Sequence, residues 1–446
     1  MFINMIQKKS FCTVCAILSA TTIFAQQDAW TLDKCIEYAK EQNISIQQQK
    51  ISQQQADEEL KQAKAAFWPT LSLSTGHTLS NRPNQDPTNT YNGNVGISAG
   101  WVVYDGTRRS NIELSKVSTQ MAQLNTQQIE NQIVEQLLLL YVQTIYAKEA
   151  IEVNRAMLEA SQAAEQRGAE RLKVGDINKS DYVQLQAQVA QDNYNLVSAQ
   201  TQYDNYLLQL KQLLELESTD ELTLVSSTYS DDVVLSAIPD LEQVYQAALT
   251  LRPEMQSTQL EIEQADLNLK VAKAGYYPTV NLSASSGTSW SHTLGSSNNS
   301  YMVDLNSNSN TFTDNWSNTI GVNISIPITQ NRRNKTAVEK AKLSKATATL
   351  SQADEKKTLR KTIETLWLDA NSNQQQYIAA QQQTAATQAS YDLIAEQFAQ
   401  GLKTATDLMT QKATLLQAEQ SMLQSKYMAL YSISMLQLYQ GTDTSL

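Results

Sequence analysis

A chain of 446 residues with 41% hydrophobic and 18% charged side chains is long enough for two or three ordinary domains, yet thirteen Gly and seven Pro are too few for the turns such domains need. Thirty-four basic against 45 acidic residues leave a formal charge of -11, which excludes a nucleic-acid reader that works by neutralising phosphates. Two His and three Cys leave little material for a metal or thiol site, so no metal and no cofactor is expected.

At the amino terminus Lys8 and Lys9 precede an apolar run from Phe11 to Ala25, followed by polar Gln26, Gln27 and Asp28. This is the layout of a secretory signal peptide, 1–25, cleaved after Ala25. The run is too short for a spanning helix of about 20 residues. Cys12 and Cys15 leave with it, so their C-x-x-C spacing carries no redox or metal role, and Cys35 remains as the lone thiol. Thr13 and Val14 are not the small pair that a lipid-attachment site requires. Losing two Lys brings the mature charge to -11 - 2 = -13.

Beyond the signal the pattern alternates helix and strand. A helical stretch over about 31–66 leads into strands at about 69–80 and 94–104, then a helix over 106–170, a turn at Gly175 and a helix over 179–215. Residues 216–239 read as a linker. A second series follows: helix 240–276, strands 278–290 and 317–328, helix 331–398, a turn at Gly401 and helix 404–439. The series match in sequence. Leu60 to Ser74 returns as Leu269 to Ser283 at an offset of 209, Arg108-Arg109 returns as Arg332-Arg333 at 224, and Gly175 returns as Gly401 at 226. The chain therefore reads as one architecture built twice, over 26–225 and 226–446.

In each strand, apolar residues alternate with small polar ones: Leu71, Leu73 and Leu79 against Ser72, Ser74 and Ser80, and Ile320, Val322 and Ile324 against Thr319, Gly321 and Asn323. Such a face covers a soluble sandwich core or faces lipid. The uncharged opposite face favours lipid, as do Trp68, Tyr104, Tyr276 and Tyr277 near one end and Trp290 and Trp316 near the other. No later segment has the apolar run of a helical span, so a membrane role falls to the strands. Four strands cannot close a barrel, for which about eight is the minimum. Two chains would give a filled barrel and three a passage. The loops at about 80–93 and 291–316, rich in Asn, Ser and Thr, suit the outer aqueous face.

The helix after the first turn carries two seams. Tyr182, Leu185, Val189, Leu196, Ala199 and Tyr203 keep heptad spacing, broken once at Asp192, while Val183, Ala187, Ala190, Tyr194 and Val197 run beside them. Two adjacent seams let a helix pack on both sides, as the wall of a helical tube requires. A plain coiled-coil bundle, as in a secreted or surface-attached trimeric adhesion protein, is the rival. It leaves the four lipid-compatible strands unexplained. His77 and His292 lie far apart with no acid or nucleophile at a recognisable spacing, and no phosphate-cradling Gly loop is present, so no catalytic residue is expected.

Several of these segments together resemble the TolC-like outer-membrane efflux proteins over essentially the whole mature chain. They are Trp30-Thr31-Leu32, the Ala-Lys-Ala-x-x-x-Pro-Thr entry to the strands, Tyr104-Asp105-Gly106-Thr107-Arg108-Arg109 leaving them, and the duplicated tips from Val174 to Asp181 and from Gln400 to Asp407. The resemblance implies a mostly α fold with a β-barrel part: a homotrimer whose four strands per chain form a shared twelve-strand barrel in outer-membrane lipid, above a long α-helical tunnel across the periplasm. It implies the exit duct of a tripartite efflux or type I secretion system, docked to a periplasmic adaptor and an inner-membrane transporter.

In that family an aspartate six residues after the second tip glycine lines the constriction. Asp407 stands there, and Thr410 replaces a second acid three residues on. Asp407 also suits the plainer part of a helix N-terminal acid. The gate-closing links of the family fall on Asp181, Phe398 and Lys403; Phe398 lacks the aromatic hydroxyl and Lys403 replaces an Arg, losing bidentate geometry. Val174, Gly175, Gly401 and Leu402 form the tips expected to meet the adaptor.

Overall fold

The computed structural model describes residues 30–83, 89–225, 229–294 and 315–442; the expected signal peptide, residues 84–88 of the first strand-connecting loop and most of the second lie outside them, and the first loop is shorter than the expected 80–93 because strand pairing continues out to Asn81 and Asn89. The first helix starts where the Thr31 hydroxyl accepts the Lys34 N–H, and α1 (Leu32–Gln42) ends at Asn43, inside the stretch expected to be continuous. The Asn43 amide oxygen accepts from the N–H groups of Ser45 and Ile46 and opens α2 (Ile44–Ala65). Its amide nitrogen donates to the Leu213 carbonyl at 3.0 Å. One side chain thus starts a helix and ties it to the end of another.

Two strands follow, β1 (Thr70–Asn81) and β2 (Asn89–Tyr104), then α3 (Arg108–Lys173) and α4 (Lys179–Leu213). At about 1.5 Å per residue α3 is about 100 Å long, and the sum of α1, α2 and α4 is about the same. That match is physical. α2 lies along the upper part of α3, where Thr119 donates to the Ala56 carbonyl, and α4 lies along the lower part, where Tyr182 donates to Glu165 at 2.5 Å.

The segment after α4 crosses back over the middle of the molecule. Trp30 and Leu224 form an isolated parallel bridge, and the short α5 (Asp231–Val234) docks on the long helix of the second series, where Tyr377 and Gln381 both donate to Asp231. Then come α6 (Leu241–Leu251), α7 (Pro253–Ala274), β3 (Thr279–Leu294), β4 (Ser317–Ser325), α8 (Arg333–Ala399) and α9 (Ala405–Gln440). The break between α6 and α7 falls at Arg252, because a residue before proline is driven out of the helical region. β4 ends at Ser325 and Pro327 follows, since proline cannot donate to a ladder.

All four strands join one antiparallel sheet in sequence order. The register puts matching chemistry on matching faces: Leu71 opposes Ala99, which opposes Ala284, which opposes Ile320, while one step along Ser72, Ser98, Ser285 and Thr319 form the row on the other face. The apolar rows are bare. Leu71 keeps 75% of its surface and Ile320 80%. From Val280 to Trp290, β3 advances about 33 Å at about 3.3 Å per residue; tilted as barrel strands are, that spans about 25 Å, the height of a lipid-facing band. Among the described residues no helix is long and apolar enough to cross a membrane.

The helices form a strip. α2 and α4 flank α3 on one side, α7 and α9 on the other, and α8 packs beyond α7 and α9. The main core lies at mid-height and includes Leu137, Leu138, Tyr141, Ile145, Leu210, Ile363 and Leu436. Cys35 is fully buried there, and burial pushes its thiol up to about 12, so it is chemically inert.

Candidate functional site

The two tips are built alike. Gly175 (φ 79°) and Gly401 (φ 80°) adopt the left-handed conformation that ends a helix. In the first tip Gly175 N–H donates to Leu172 O and Asp176 N–H to Arg171 O; in the second Gly401 donates to Phe398 O and Leu402 to Gln397 O. The reversal leaves Val174 and Leu402 standing in solvent with 80% and 71% of their surfaces free. Buried apolar side chains would sit inside a single chain, so these point to a surface beyond it.

The acid six residues after each glycine sits in the third position of the next helix. Asp181 follows the Asn178 cap, whose amide oxygen accepts the Asp181 N–H at 2.8 Å. Asp407 completes a reciprocal capping box: Thr404 Oγ1 accepts the Asp407 N–H, while the Thr404 N–H (3.1 Å) and hydroxyl (2.9 Å) donate to the Asp407 carboxylate. Those bonds from Thr404, with nearby Lys403, hold the Asp407 carboxyl below its ordinary range. The Thr410 hydroxyl turns back to its own helix and donates to Thr406 O.

Within one chain Asp181, Phe398 and Lys403 do not meet. Asp181 accepts from the Asn178 side chain, and among the described residues no ion pair joins it to Lys403. Phe398 is buried against Ala164, Leu185, Ala405 and Leu408. Its partner is Arg171, whose guanidinium stacks 5.2 Å over the Phe398 ring and donates to the Phe398 carbonyl at 2.6 Å, while Nε holds Asp176. One arginine therefore ties the first tip to the turn of the second. Thr406 adds a link to Gln184 on α4 at 3.1 Å.

About 20 Å above the tips, at 1.5 Å per residue, lies a second set of links that sequence reasoning missed. Lys412 of α9 is buried and donates to Asp192 of α4 and to Ser161 and the Met157 carbonyl of α3. Asp192 also accepts from Ser161 and from Gln188. Burial lowers the lysine's proton affinity despite the carboxylate beside it. The signal was the heptad broken at Asp192: a polar residue inside an apolar seam needs a buried partner.

A four-stranded sheet with a bare apolar face, continued by helical hairpins about 100 Å long with paired tips at the far end, has the architecture of a transport duct. Residues 35–215 and 244–442 match the outer membrane efflux protein family, and the chain belongs to it. It is similar to the outer membrane protein TolC of Salmonella enteritidis, with 21% identity over 422 residues covering 94% of this chain and 84% of that one. Among solved structures it shares its fold with the channel CusC, at a TM-score of 0.74 and 15% identity over 92% of each chain. The CmeC outer membrane channel of Campylobacter jejuni gives a TM-score of 0.72 at 17% identity, covering 93% of this chain and 87% of that one. The protein is an efflux channel of the outer membrane that extends into the periplasm, and the adhesion-protein reading falls away.

Proposed function

We propose that three copies of this chain assemble into the exit duct of a tripartite efflux system, passing substrates from an inner-membrane transporter through the periplasm to the outside. The observation that carries this is the state of the two lateral edges. Among the described residues β1 and β4 each pair on one side alone, and four strands are half of the smallest barrel. The helical edges match: on α8, Leu343, Leu350, Leu368 and Leu393 are exposed, and their spacings of 7, 18 and 25 residues return to within about 20° of one face. On the opposite edge Val183, Tyr194, Val197 and Leu208 of α4 are exposed within an arc of about 60°. An apolar stripe at each end of a strip suits closure on further copies, and three copies give twelve strands around a passage.

In the assembled duct the Val174 and Leu402 tips are the surface for a periplasmic adaptor, and three Asp407 side chains ring the narrow end. Mutual repulsion there favours a cation between them. Heat-resistant trimers in outer-membrane fractions, together with channel conductance in planar bilayers, test the assembly. Ile320→Arg, on the bare sheet face opposite Ala284 and so well inside the band that starts at Val280, is expected to cost about 2–4 kcal/mol per chain and to cut trimer yield. Full conductance from a monomer would overturn the proposal. Asp407→Asn is expected to lower cation selectivity and weaken block by multivalent cations; unchanged selectivity would remove Asp407 from the constriction.

A further inference from the structure

Just beneath the apolar sheet, the same arrangement of side chains occurs twice. Lys64 is followed by exposed Phe67 and Trp68, Pro69 and the start of β1; Lys273 is followed by exposed Tyr276 and Tyr277, Pro278 and the start of β3. On the returning side Arg109 lies one turn below β2, and Arg333 begins the helix below β4. All four cations are exposed, and among the described residues none makes an ion pair, although Arg109 lies near enough to Glu113, itself paired with Lys116, to act on its carboxyl. Their neighbours are spoken for: Lys61 pairs with Glu58, Lys270 with Asp266, and Arg108 donates to the Val102 carbonyl.

Helix electrostatics do not account for the set. A lysine in the last turn of α2 or α7 complements the helix dipole, but Arg109 and Arg333 occupy first turns that contain no acid, where the dipole opposes them. What the four share is depth. Each lies within about 10 Å of the aromatic band that closes the apolar face, in a chain whose net charge is -11. Aromatic rings at an interface with free cations just outside it are the arrangement that holds anionic lipid headgroups.

We infer that Lys64, Arg109, Lys273 and Arg333 form a basic belt that binds the headgroups of anionic phospholipids in the leaflet facing the helices. The belt rests on the proposed placement of the apolar sheet face against lipid. Three copies of the chain would carry twelve such cations around the barrel's lower rim. Their function is to fix the depth of the barrel: the aromatic rings set the apolar boundary, and the cations outside it resist upward slip by holding phosphates.

The full-length protein, reconstituted in phosphatidylcholine nanodiscs that contain spin-labelled phosphatidylglycerol or spin-labelled phosphatidylcholine as probe, tests this. The motionally restricted fraction of each probe is read in 0.05 M and 1 M salt. Phosphatidylglycerol is expected to be enriched about fivefold at the protein in low salt, the factor that one basic contact gives. The enrichment is expected to shrink towards unity in 1 M salt, where screening acts over about 3 Å. A variant with all four residues changed to Gln should lose the preference, whereas Lys148, Lys356, Lys357 and Lys361 changed to Gln together should keep it. Equal restriction of both probes around a normally inserted oligomer would overturn the belt. Failure of the wild-type protein to restrict either probe would overturn the placement of the sheet in lipid, and the belt with it.

Discussion

The first helical series and the second are nearly superimposable in length and differ in chemistry. α1 and α6 have 11 residues each, α2 and α7 22 each, α3 and α8 66 and 67, α4 and α9 35 and 36. Yet the side chains that lock the joints are not duplicated. Asn43, at the break between α1 and α2, corresponds at the offset of 209 to Arg252, at the break between α6 and α7. Asn43 donates to one carbonyl, while Arg252 is buried, bonds Glu135 and Glu254 and stacks 4.3 Å over Tyr439. At the offset of 226, Asp192 corresponds to Ala418, Lys412 to Gln186 and Arg171 to Gln397. Equal backbone lengths set the reach of the duct, and unequal polar contacts decide which hairpin is held and by what.

The difference is sharpest at the buried lysine, and the largest effect is expected there. Asp192→Leu leaves Lys412 charged and without its carboxylate, which should cost about 3–5 kcal/mol. Lys412→Met should cost less, because Asp192 keeps Gln188 and Ser161 as donors. Combining the two should recover most of the loss, since a well-packed apolar pair replaces a buried ion pair at little net cost. Protease nicking near the tips of the assembled protein, followed against urea, reads all three. Equal loss in the double variant and in Asp192→Leu would mean that the ion pair is not the source.

The two joints give the next contrast. Arg252→Ala removes a buried cation from two carboxylates and a ring, and should cost about 2–3 kcal/mol. Asn43→Ala removes a helix cap and a hydrogen bond, and should cost about 1 kcal/mol. Thermal melts of the two variants in one detergent should rank them in that order. Indistinguishable melts would show that the joints carry similar load despite their different chemistry.

The tip glycines are expected to differ less. Both need a positive φ, which costs an alanine about 1–2 kcal/mol. A Cβ at Gly175 would meet nothing within 4 Å, whereas one at Gly401 would lie 3.1 Å from Arg171 Nη2. Gly401→Ala therefore disturbs the arginine that joins the tips. It should raise nicking at both tips, where Gly175→Ala should raise it at one.

What the sequence made legible was what repeats. The offsets linking Leu60 to Leu269 and Gly175 to Gly401, and the alternation along Leu71 and Leu73, are local patterns that a fold must honour, so the sheet and the long helices could be read. The contacts that single out one copy could not. Asp192 announced itself by breaking a heptad, but its partner Lys412 lies 220 residues away on another hairpin, with no local mark. The break at Arg252 could have been read from Pro253. Asn43 sits in a run that reads as helix, and its cap on Ser45 and Ile46 together with its bond to Leu213 explains the stop. Thr410 looked like a replaced acid, yet its hydroxyl is spent on Thr406 O, a choice that sequence does not express.

The smallest expected difference separates the two helix starts after the tips. In α4 the cap acceptor is the Asn178 amide oxygen, which does not titrate. In α9 the cap acceptor is the Thr404 hydroxyl, oriented by donating to the Asp407 carboxylate, and that carboxylate also receives the Thr404 N–H. Because Asp407 holds its charge below the ordinary value of 3.8, the unfolded state takes up the proton first as pH falls. The contribution of Asp407 is therefore complete above that value and is lost as pH drops through the lowered one. Hydrogen exchange, corrected for intrinsic rates, should show the first turn of α9 loosening on acidification below about pH 4, with the first turn of α4 changing less. Asp407→Asn should loosen the α9 turn at neutral pH and abolish the acid-dependent part. If both helix starts loosen together in the wild-type protein, the reciprocal cap at Thr404 is not what holds the second tip, and the burden passes to Arg171 and Lys412.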